Sequence, residues 1–286
     1  MAVIHRLRRP LAVACALLAA AFVAPAPAAD ERTTSIGGVD VVVWSPEREP
    51  AQPMPLVVFS HAMHMCPTQS RYLTQALADA GYFVVAPRHA DSNCTVSLPG
   101  LSRFGWKPAM LWSDSDFRDR ADDVRRVVDA IRDDPRYSAS VDADRIALAG
   151  HSLGGYTVLG LGGAWPSWKL PGVRAILALT PYSLPFQRTG GLSKLAAPVM
   201  YQAGTLDPLF TLPIELSGYE QTPAPKYFVE FTGAAHLAWT DWYGFGRDAI
   251  VDYAIAFVDH HVKGEPASPT LETRLPGVLK FAHAPR

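Results

Sequence analysis

The sequence predicts an α/β fold, a mainly parallel sheet with helices on both faces. Short runs at 56–59, 82–86 and 175–179 are almost entirely apolar, which is typical of strands buried on both sides. The segment at 117–131 instead repeats its apolar residues with a helical period. Alternating strands and helices favour a parallel sheet, and such sheets bind ligands at the carboxyl ends of their strands.

The other segments continue this alternation along the chain. Strands are predicted at 39–44, 56–59, 82–86, 145–149, 175–179, 199–203 and 227–231, and helices at 72–80, 117–131, 153–161 and 250–262. Gly81, Pro87 and Gly264 lie just beyond three of these segments, where such residues end helices or strands. The connection at 180–198 is too short for a large lid domain, whereas 91–115 is predicted to be irregular.

The N-terminal segment at 1–29 is predicted to be a signal peptide. Three arginines precede an apolar run at 11–23, and the small residues at 24–29 offer a cleavage site. An N-terminal membrane anchor is the alternative, but a span needs about 20 apolar residues and this run is shorter. We therefore expect a secreted or periplasmic protein with no integral membrane segment after processing.

Composition restricts the partners of the remaining chain. With 49% hydrophobic and 19% charged residues in 286, the chain has the composition of a globular protein, and no linker divides it. A single catalytic domain is predicted at 30–286. Processing would leave 23 basic against 27 acidic residues and no basic block, so we expect no nucleic-acid partner. We also expect the protein to be a monomer.

Two cysteines, Cys66 and Cys94, remain after processing. Both follow neighbouring predicted strands at the same end of the sheet. A lone pair in an oxidising compartment tends to be bridged, so a disulfide is predicted, with two buried thiols as the alternative.

The motif at 150–155, Gly-His-Ser-Leu-Gly-Gly, carries the strongest functional signal. It follows a predicted strand and opens a predicted helix, the context required of a G-x-S-x-G nucleophile elbow. Small neighbours permit the sharp turn that exposes Ser152, and the helix N-terminus directs N–H groups toward the reacting oxygen. The alternative is a glycine-rich turn with an idle serine.

A serine nucleophile needs a base, and the base needs a carboxylate that fixes its tautomer. After this elbow the expected chain order is acid and then histidine. Asp207 and His236 each follow a predicted strand in that order and are predicted to complete the site. Asp241 and Glu215 are rival acids that lie farther from a strand end.

The carbonyl oxygen under attack needs two hydrogen-bond donors. The backbone N–H of Leu153, just after the nucleophile, is the first candidate. The second is the N–H of Met63, in the loop after the strand at 56–59. No cofactor is required for this chemistry.

These residues together resemble the α/β-hydrolase superfamily. More narrowly, the chain is similar to the platelet-activating-factor acetylhydrolase-like and dienelactone-hydrolase-related serine esterases, which border on cutinase-like polyesterases. The resemblance covers 39–262 and rests on the motifs at 60–62, 80–87, 120–124 and 144–146, and on the elbow with its two partners. It implies the α/β-hydrolase fold and carboxylic-ester hydrolysis.

Two departures from this family pattern are visible. Ala62 stands where such enzymes usually carry glycine, which puts the shape of the oxyanion loop in doubt. Dienelactone hydrolases proper use a cysteine nucleophile where this chain has Ser152, so their substrate does not carry over.

Aromatic and polar side chains near the predicted site are less specific. Trp112, Trp239 and Trp242 are predicted either to line an apolar acyl pocket or to pack loops over the core. Three histidines, His61, His64 and His89, lack the spacing of a zinc-protease motif, so no metal is predicted. His151 is interpreted as structural, and the charges at 122–126 as the solvated face of a helix.

The expected substrates are small-molecule or polymeric esters with short-to-medium acyl groups. Alternatives on the same fold are a lipase, a polyester hydrolase, an acyltransferase and a peptidase. A non-catalytic binding protein is the remaining, different class of function.

Overall fold

The computed structural model describes residues 29–46, 51–95, 107–244 and 246–285. The predicted signal peptide therefore lies outside the described residues except for Ala29, as do residues 96–106 of the predicted irregular segment.

Strands and helices alternate through most of the described chain. The strands are β1 (Asp30–Ile36), β2 (Val39–Ser45), β3 (Met54–Ser60), β4 (Phe83–Pro87), β5 (Val141–His151), β6 (Val173–Leu179), β7 (Val199–Gly204), β8 (Lys226–Phe231) and β9 (Val278–Ala284). The helices are α1 (Arg71–Asp79), α2 (Arg118–Asp133), α3 (Pro135–Ser138), α4 (Leu153–Leu159), α5 (Leu184–Thr189), α6 (Leu212–Gln221) and α7 (Arg247–Val258).

These strands form one sheet in the order β1-β2-β4-β3-β5-β6-β7-β8-β9. The pairs from β4 through β8 are parallel, and antiparallel pairs occur only toward the two edges of the described sheet. The predicted α/β fold with a mainly parallel sheet is confirmed. Because the parallel strands share one direction, β3, β5, β7 and β8 all deliver their following loops to the same edge.

Two apolar cores lie on opposite faces of the sheet. Residues of β3 alternate between them: Leu56 and Val58 pack with α2 and α4, whereas Val57 and Phe59 pack with α1 and α7. This alternation follows from the two-residue period of a strand. Burial on both faces explains why the central strands are almost continuous apolar runs.

The two edge strands β1 and β9 were not predicted. Of the seven residues of β1, only Ile36 is buried, and of β9 only Val278. Without a second buried face, these strands lack the apolar pattern that marks the central ones.

In the described ranges, the loops between strands match what the sequence predicts. Between β6 and β7 the chain forms only α5 and a short 3-10 turn, so no large lid is inserted there. Cys66 and Cys94 are joined by a disulfide, as predicted. None of the helices in the described ranges has both the length and the apolar character that crossing a bilayer requires.

Candidate active site

Ser152 occupies a strained turn between β5 and α4. Its backbone has φ 57° and ψ −115°, a conformation that L-residues rarely adopt. The flanking glycines are needed for steric reasons: a Cβ on Gly154 would collide with the Ser60 carbonyl, and one on Gly150 with the Gly154 carbonyl. The turn is therefore tight on both sides, and Ser152 stands at its apex.

The structure brings Ser152, His236 and Asp207 into one hydrogen-bonded row. The Ser152 Oγ lies 3.0 Å from His236 Nε2. His236 Nδ1 lies 2.8 Å from Asp207 Oδ2. The three residues lie at or just after the ends of β5, β7 and β8, at one edge of the sheet. When His236 Nδ1 donates to the Asp207 carboxylate, Nε2 is left to accept a hydrogen bond from the Ser152 hydroxyl.

Asp207 has an environment that favours its ionised form. Its Oδ1 accepts hydrogen bonds from the backbone N–H groups of Leu209 and Phe210, at 2.8 and 3.1 Å. Its Oδ2 accepts from His236 and from the hydroxyl of Thr180. Burial alone would raise the pKa of Asp207, but these hydrogen bonds and the charge of His236 lower it.

Thr180 was not identified from the sequence. It directly follows β6 and has a φ of 38°, in the left-handed region that β-branched residues avoid. Its backbone N–H donates to the Gln202 carbonyl at 2.7 Å, which ties it to β7 beside Asp207. No local pattern distinguishes this threonine from others that follow a strand.

The two rival acids, Asp241 and Glu215, lie in other environments and form no hydrogen bond with the His236 side chain among the described contacts. Asp241 accepts hydrogen bonds from the backbone N–H groups of Arg71 and Tyr72, at 3.1 and 3.2 Å, and so satisfies the first turn of α1. Glu215 on α6 is fully buried, and neither of its carboxyl oxygens has a hydrogen-bond partner among the described residues. Burial, with a contribution from the charge of Asp207, raises the pKa of Glu215 well above its usual range.

Replacing Glu215 by methionine is expected to stabilise the protein by about 1–3 kcal/mol at neutral pH, because an unsatisfied buried carboxyl group is removed. The wild-type protein holds a proton that the unfolded chain releases above about pH 4.3, so its stability declines as the pH rises from there. The gain from Glu215→Met should therefore be larger at pH 7 than at pH 4. Urea denaturation at both pH values measures it.

Glu220→Met is the matched control, since Glu220 is exposed on the same helix. It should change the free energy of unfolding little at either pH. A Glu215→Met variant less stable than wild type at pH 7 would contradict the interpretation of Glu215 as a buried neutral acid.

The loop at 60–64, beside the cleft, leaves the N–H of one lining residue without an acceptor in the described part of the chain. The N–H of Ala62 donates to Gln69 Oε1 at 2.8 Å, and the N–H of His64 to Asp91 Oδ2 at 3.2 Å. Between them, the N–H of Met63 has no acceptor within the described chain, and Met63 lines the cleft beside Ser152. The N–H of Leu153, the first residue of α4, likewise has none. Neither predicted oxyanion donor is therefore used by a hydrogen bond among the described residues.

Alanine at 62 does not strain this loop. The positive φ angles nearby belong to His64 and Ser152, and Ala62 does not have one. Glycine is therefore not required at this position, and the departure from the family pattern leaves the loop intact.

A buried arginine holds the carbonyl side of the same loop. Arg120 on α2 is fully buried and donates from Nη1 to the His61 carbonyl at 2.7 Å. Its Nη2 lies 2.7 Å from Asp91 Oδ2. Burial alone would raise the pKa of Asp91, but the charge and hydrogen bonds of Arg120 lower it to about 2. This ion pair fixes the loop that carries Met63.

A second serine–histidine–aspartate row lies beneath the loop. Ser60 Oγ is 3.0 Å from His89 Nε2, and His89 Nδ1 is 3.0 Å from Asp123 Oδ2. Ser60 is 0% exposed and His89 2%, so no substrate reaches this row. Burial holds the pKa of His89 well below its usual range. The prediction that Asp123 belongs to a solvated helix face was wrong, since Asp123 is buried against His89.

The two other histidines considered as metal ligands, His61 and His64, also form hydrogen bonds within the protein. His61 Nε2 lies 2.6 Å from Ser92 Oγ, and His64 Nδ1 lies 3.0 Å from the Asp91 carbonyl. In the part of the chain that the structure describes, no group of three or more His, Cys, Asp or Glu side chains is arranged to hold a metal ion.

A cleft of about 880 Å³ opens over Ser152 and His236. Its walls are mostly apolar, and they include Met63, Met65, Tyr182, Leu209, Phe210 and Trp242. A volume in the range of roughly 300–1,000 Å³ is typical of small-molecule sites.

Of the three tryptophans predicted near the pocket, only Trp242 lines the cleft. Trp239 is fully buried, and its Nε1 donates to Gln202 Oε1 at 2.9 Å. Trp112 is 6% exposed and packs edge-on against Tyr182, behind the wall. The pocket prediction was wrong for Trp112 and Trp239, which serve the core as the alternative interpretation proposed.

No protein-family model matches this chain, and no curated protein is significantly similar to it in sequence. The functional inference therefore rests on the geometry of the cleft.

Proposed function

We propose that the protein is a serine hydrolase of the α/β-hydrolase type that cleaves carboxylic esters with short-to-medium acyl groups. The observation that carries this proposal is the row Ser152–His236–Asp207, which joins a strained nucleophile to an oriented base at the floor of an apolar cleft. The chain order of the three residues is also that of this enzyme type.

The reaction begins when Ser152 Oγ attacks the ester carbonyl and His236 Nε2 takes the serine proton. Asp207 fixes the tautomer of His236 and stabilises its protonated form. The N–H groups of Met63 and Leu153 stabilise the oxyanion, and each such donor is worth about 3 kcal/mol in the transition state. His236 then returns the proton to the leaving alkoxide.

Deacylation repeats these steps with water. His236 removes a proton from the water that attacks the acyl-enzyme, and Ser152 Oγ leaves with that proton. The apolar walls of the cleft suit the acyl chain, and the short β6–β7 connection leaves the site accessible. The Cys66–Cys94 disulfide supports an oxidising compartment such as the periplasm or the exterior.

A second candidate substrate is an ester presented at an insoluble surface, such as a polyester or a lipid. Among the described residues, two large exposed apolar side chains, Leu209 and Trp242, line the cleft. Three more, Met110, Leu111 and Leu206, lie within two positions along the sequence of a lining residue. Exposed apolar clusters of this kind mark interaction surfaces.

Ser152→Ala is expected to lower kcat for p-nitrophenyl esters by a factor on the order of 10⁶, since the nucleophile is removed. Ser193→Ala, at an exposed serine outside the cleft, is the matched control and should retain wild-type rates. Hydrolysis of a series from acetate to decanoate measures both variants and the preferred chain length. Equal rates for wild type and Ser152→Ala would contradict the proposal.

A further inference from the structure

A chain of three hydrogen bonds links the oxyanion loop to the backbone of the proposed base. The Ala62 N–H donates to Gln69 Oε1 at 2.8 Å. The Gln69 amide nitrogen lies 2.9 Å from His151 Nδ1. His151 Nε2 lies 2.8 Å from the His236 carbonyl. These hydrogen bonds therefore connect Ala62, the residue before Met63, to His236, the proposed base.

The direction of each bond follows from the chemistry of its neighbours. Gln69 uses its carbonyl oxygen to accept from Ala62, so its amide N–H must donate to His151 Nδ1. His151 therefore carries its proton on Nε2 and donates it to the His236 carbonyl. Burial and the nearby charge of His236 lower the pKa of His151 to about 3, which keeps the ring neutral and preserves this pattern.

The chain is also buried and reinforced. Gln69 is 7% exposed and His151 is 0% exposed, so water does not substitute for these bonds. The backbone carbonyl of Gln69 accepts from the Asp241 N–H at 2.7 Å, and Ser70 Oγ donates to the Trp239 carbonyl. Residues 69 and 70 thus hold the segment at 239–241 through two hydrogen bonds.

We propose that Gln69 and His151 are positioning residues that keep the oxyanion donor Met63 in register with His236. Neither side chain acts on the substrate; their effect passes through the backbones of Ala62 and His236. The proposal rests on the proposed esterase function. It assigns a role to His151, the residue before Ser152, which the sequence analysis interprets only as structural.

The matched pair His151→Phe and His151→Gln separates hydrogen bonding from packing. Phenylalanine keeps a ring against His236 and Trp239 but removes both bonds, whereas glutamine retains one acceptor and one donor. With kcat expressed per active site titrated by a fluorophosphonate, His151→Phe should lose about 10- to 100-fold in kcat with KM changed less than about threefold. His151→Gln should recover most of that loss.

Gln69, at the other end of the row of hydrogen bonds, gives an independent test. Gln69→Glu preserves size and the acceptor for Ala62 but removes the donor to His151, so it should lower kcat by a similar factor. The double variant Gln69→Glu/His151→Phe should be no worse than the poorer single variant, because both changes break one chain. Additive losses, or a single-variant kcat within about twofold of wild type, would overturn the proposal.

Wild type and Ser152→Ala are measured in the same series. If the wild type shows no hydrolysis that depends on Ser152, the proposed function fails. If that hydrolysis is present and the Gln69 and His151 variants match the wild type per titrated site, only the positioning role fails.

Discussion

Asp207→Asn is expected to reduce kcat for ester hydrolysis by about 10⁴-fold while the protein stays folded, because an amide can hold His236 in the wrong tautomer. The four hydrogen bonds that Asp207 accepts all favour an ionised acceptor beside Nδ1. The loss should fall on kcat rather than KM, since Asp207 is buried behind His236 and does not line the cleft.

The two rival acids supply the controls for this experiment. Asp241→Asn retains a side-chain oxygen that can accept from the first turn of α1, so it should retain activity. Glu215→Gln should do the same, because that carboxyl group is neutral and buried. A large loss in either control together with a nearly active Asp207→Asn would contradict the assignment of the acid.

Asp91→Ala is expected to lower the free energy of unfolding by about 3–5 kcal/mol, because it leaves the fully buried guanidinium of Arg120 without its partner. The His64 N–H also loses its acceptor. Urea denaturation at neutral pH measures the change. The double variant Asp91→Ala/Arg120→Met removes the orphaned charge and should recover part of the loss.

The same ion pair predicts a pH dependence. The pKa of Asp91 is about 2 in the folded protein and about 3.9 in an unfolded chain. The stabilisation that ionised Asp91 adds to the free energy of unfolding is therefore complete above pH 4 and is lost as the pH falls toward 2. Asp91→Ala should therefore differ less from wild type at pH 2.5 than at pH 7. A stability difference that does not change over this range would contradict the role assigned to the pair.

The sequence predicted those parts of the molecule whose pattern is local. The central strands are apolar on both faces, and the elbow at 150–155 needs glycines that only a tight turn explains. The sequence predicts Asp207 and His236 as partners of Ser152 because their order along the chain and their position after a strand are both visible in it. The edge strands β1 and β9 carry few buried residues, and so no comparable pattern exists in them.

The residues that support the site could not be predicted in this way. Asp123 carries the same helical charge pattern as its exposed neighbours, and only the packing of α2 against His89 makes it buried. Gln69 and His151 are 82 positions apart, and their hydrogen bond depends on how the turn before α1 meets the end of β5. For Trp112 and Trp239 the sequence left two places open, because a tryptophan near a site loop can face either the cleft or the core.

Covalent labelling tests most directly whether Ser152 is a nucleophile that His236 activates. A fluorophosphonate phosphonylates an activated serine, and mass spectrometry of the digested protein locates the adduct. We predict one adduct, on the peptide that contains Ser152, formed far more slowly in His236→Ala. Folded wild-type protein that remains unlabelled, or is labelled at another residue while Ser152 stays free, would contradict the account.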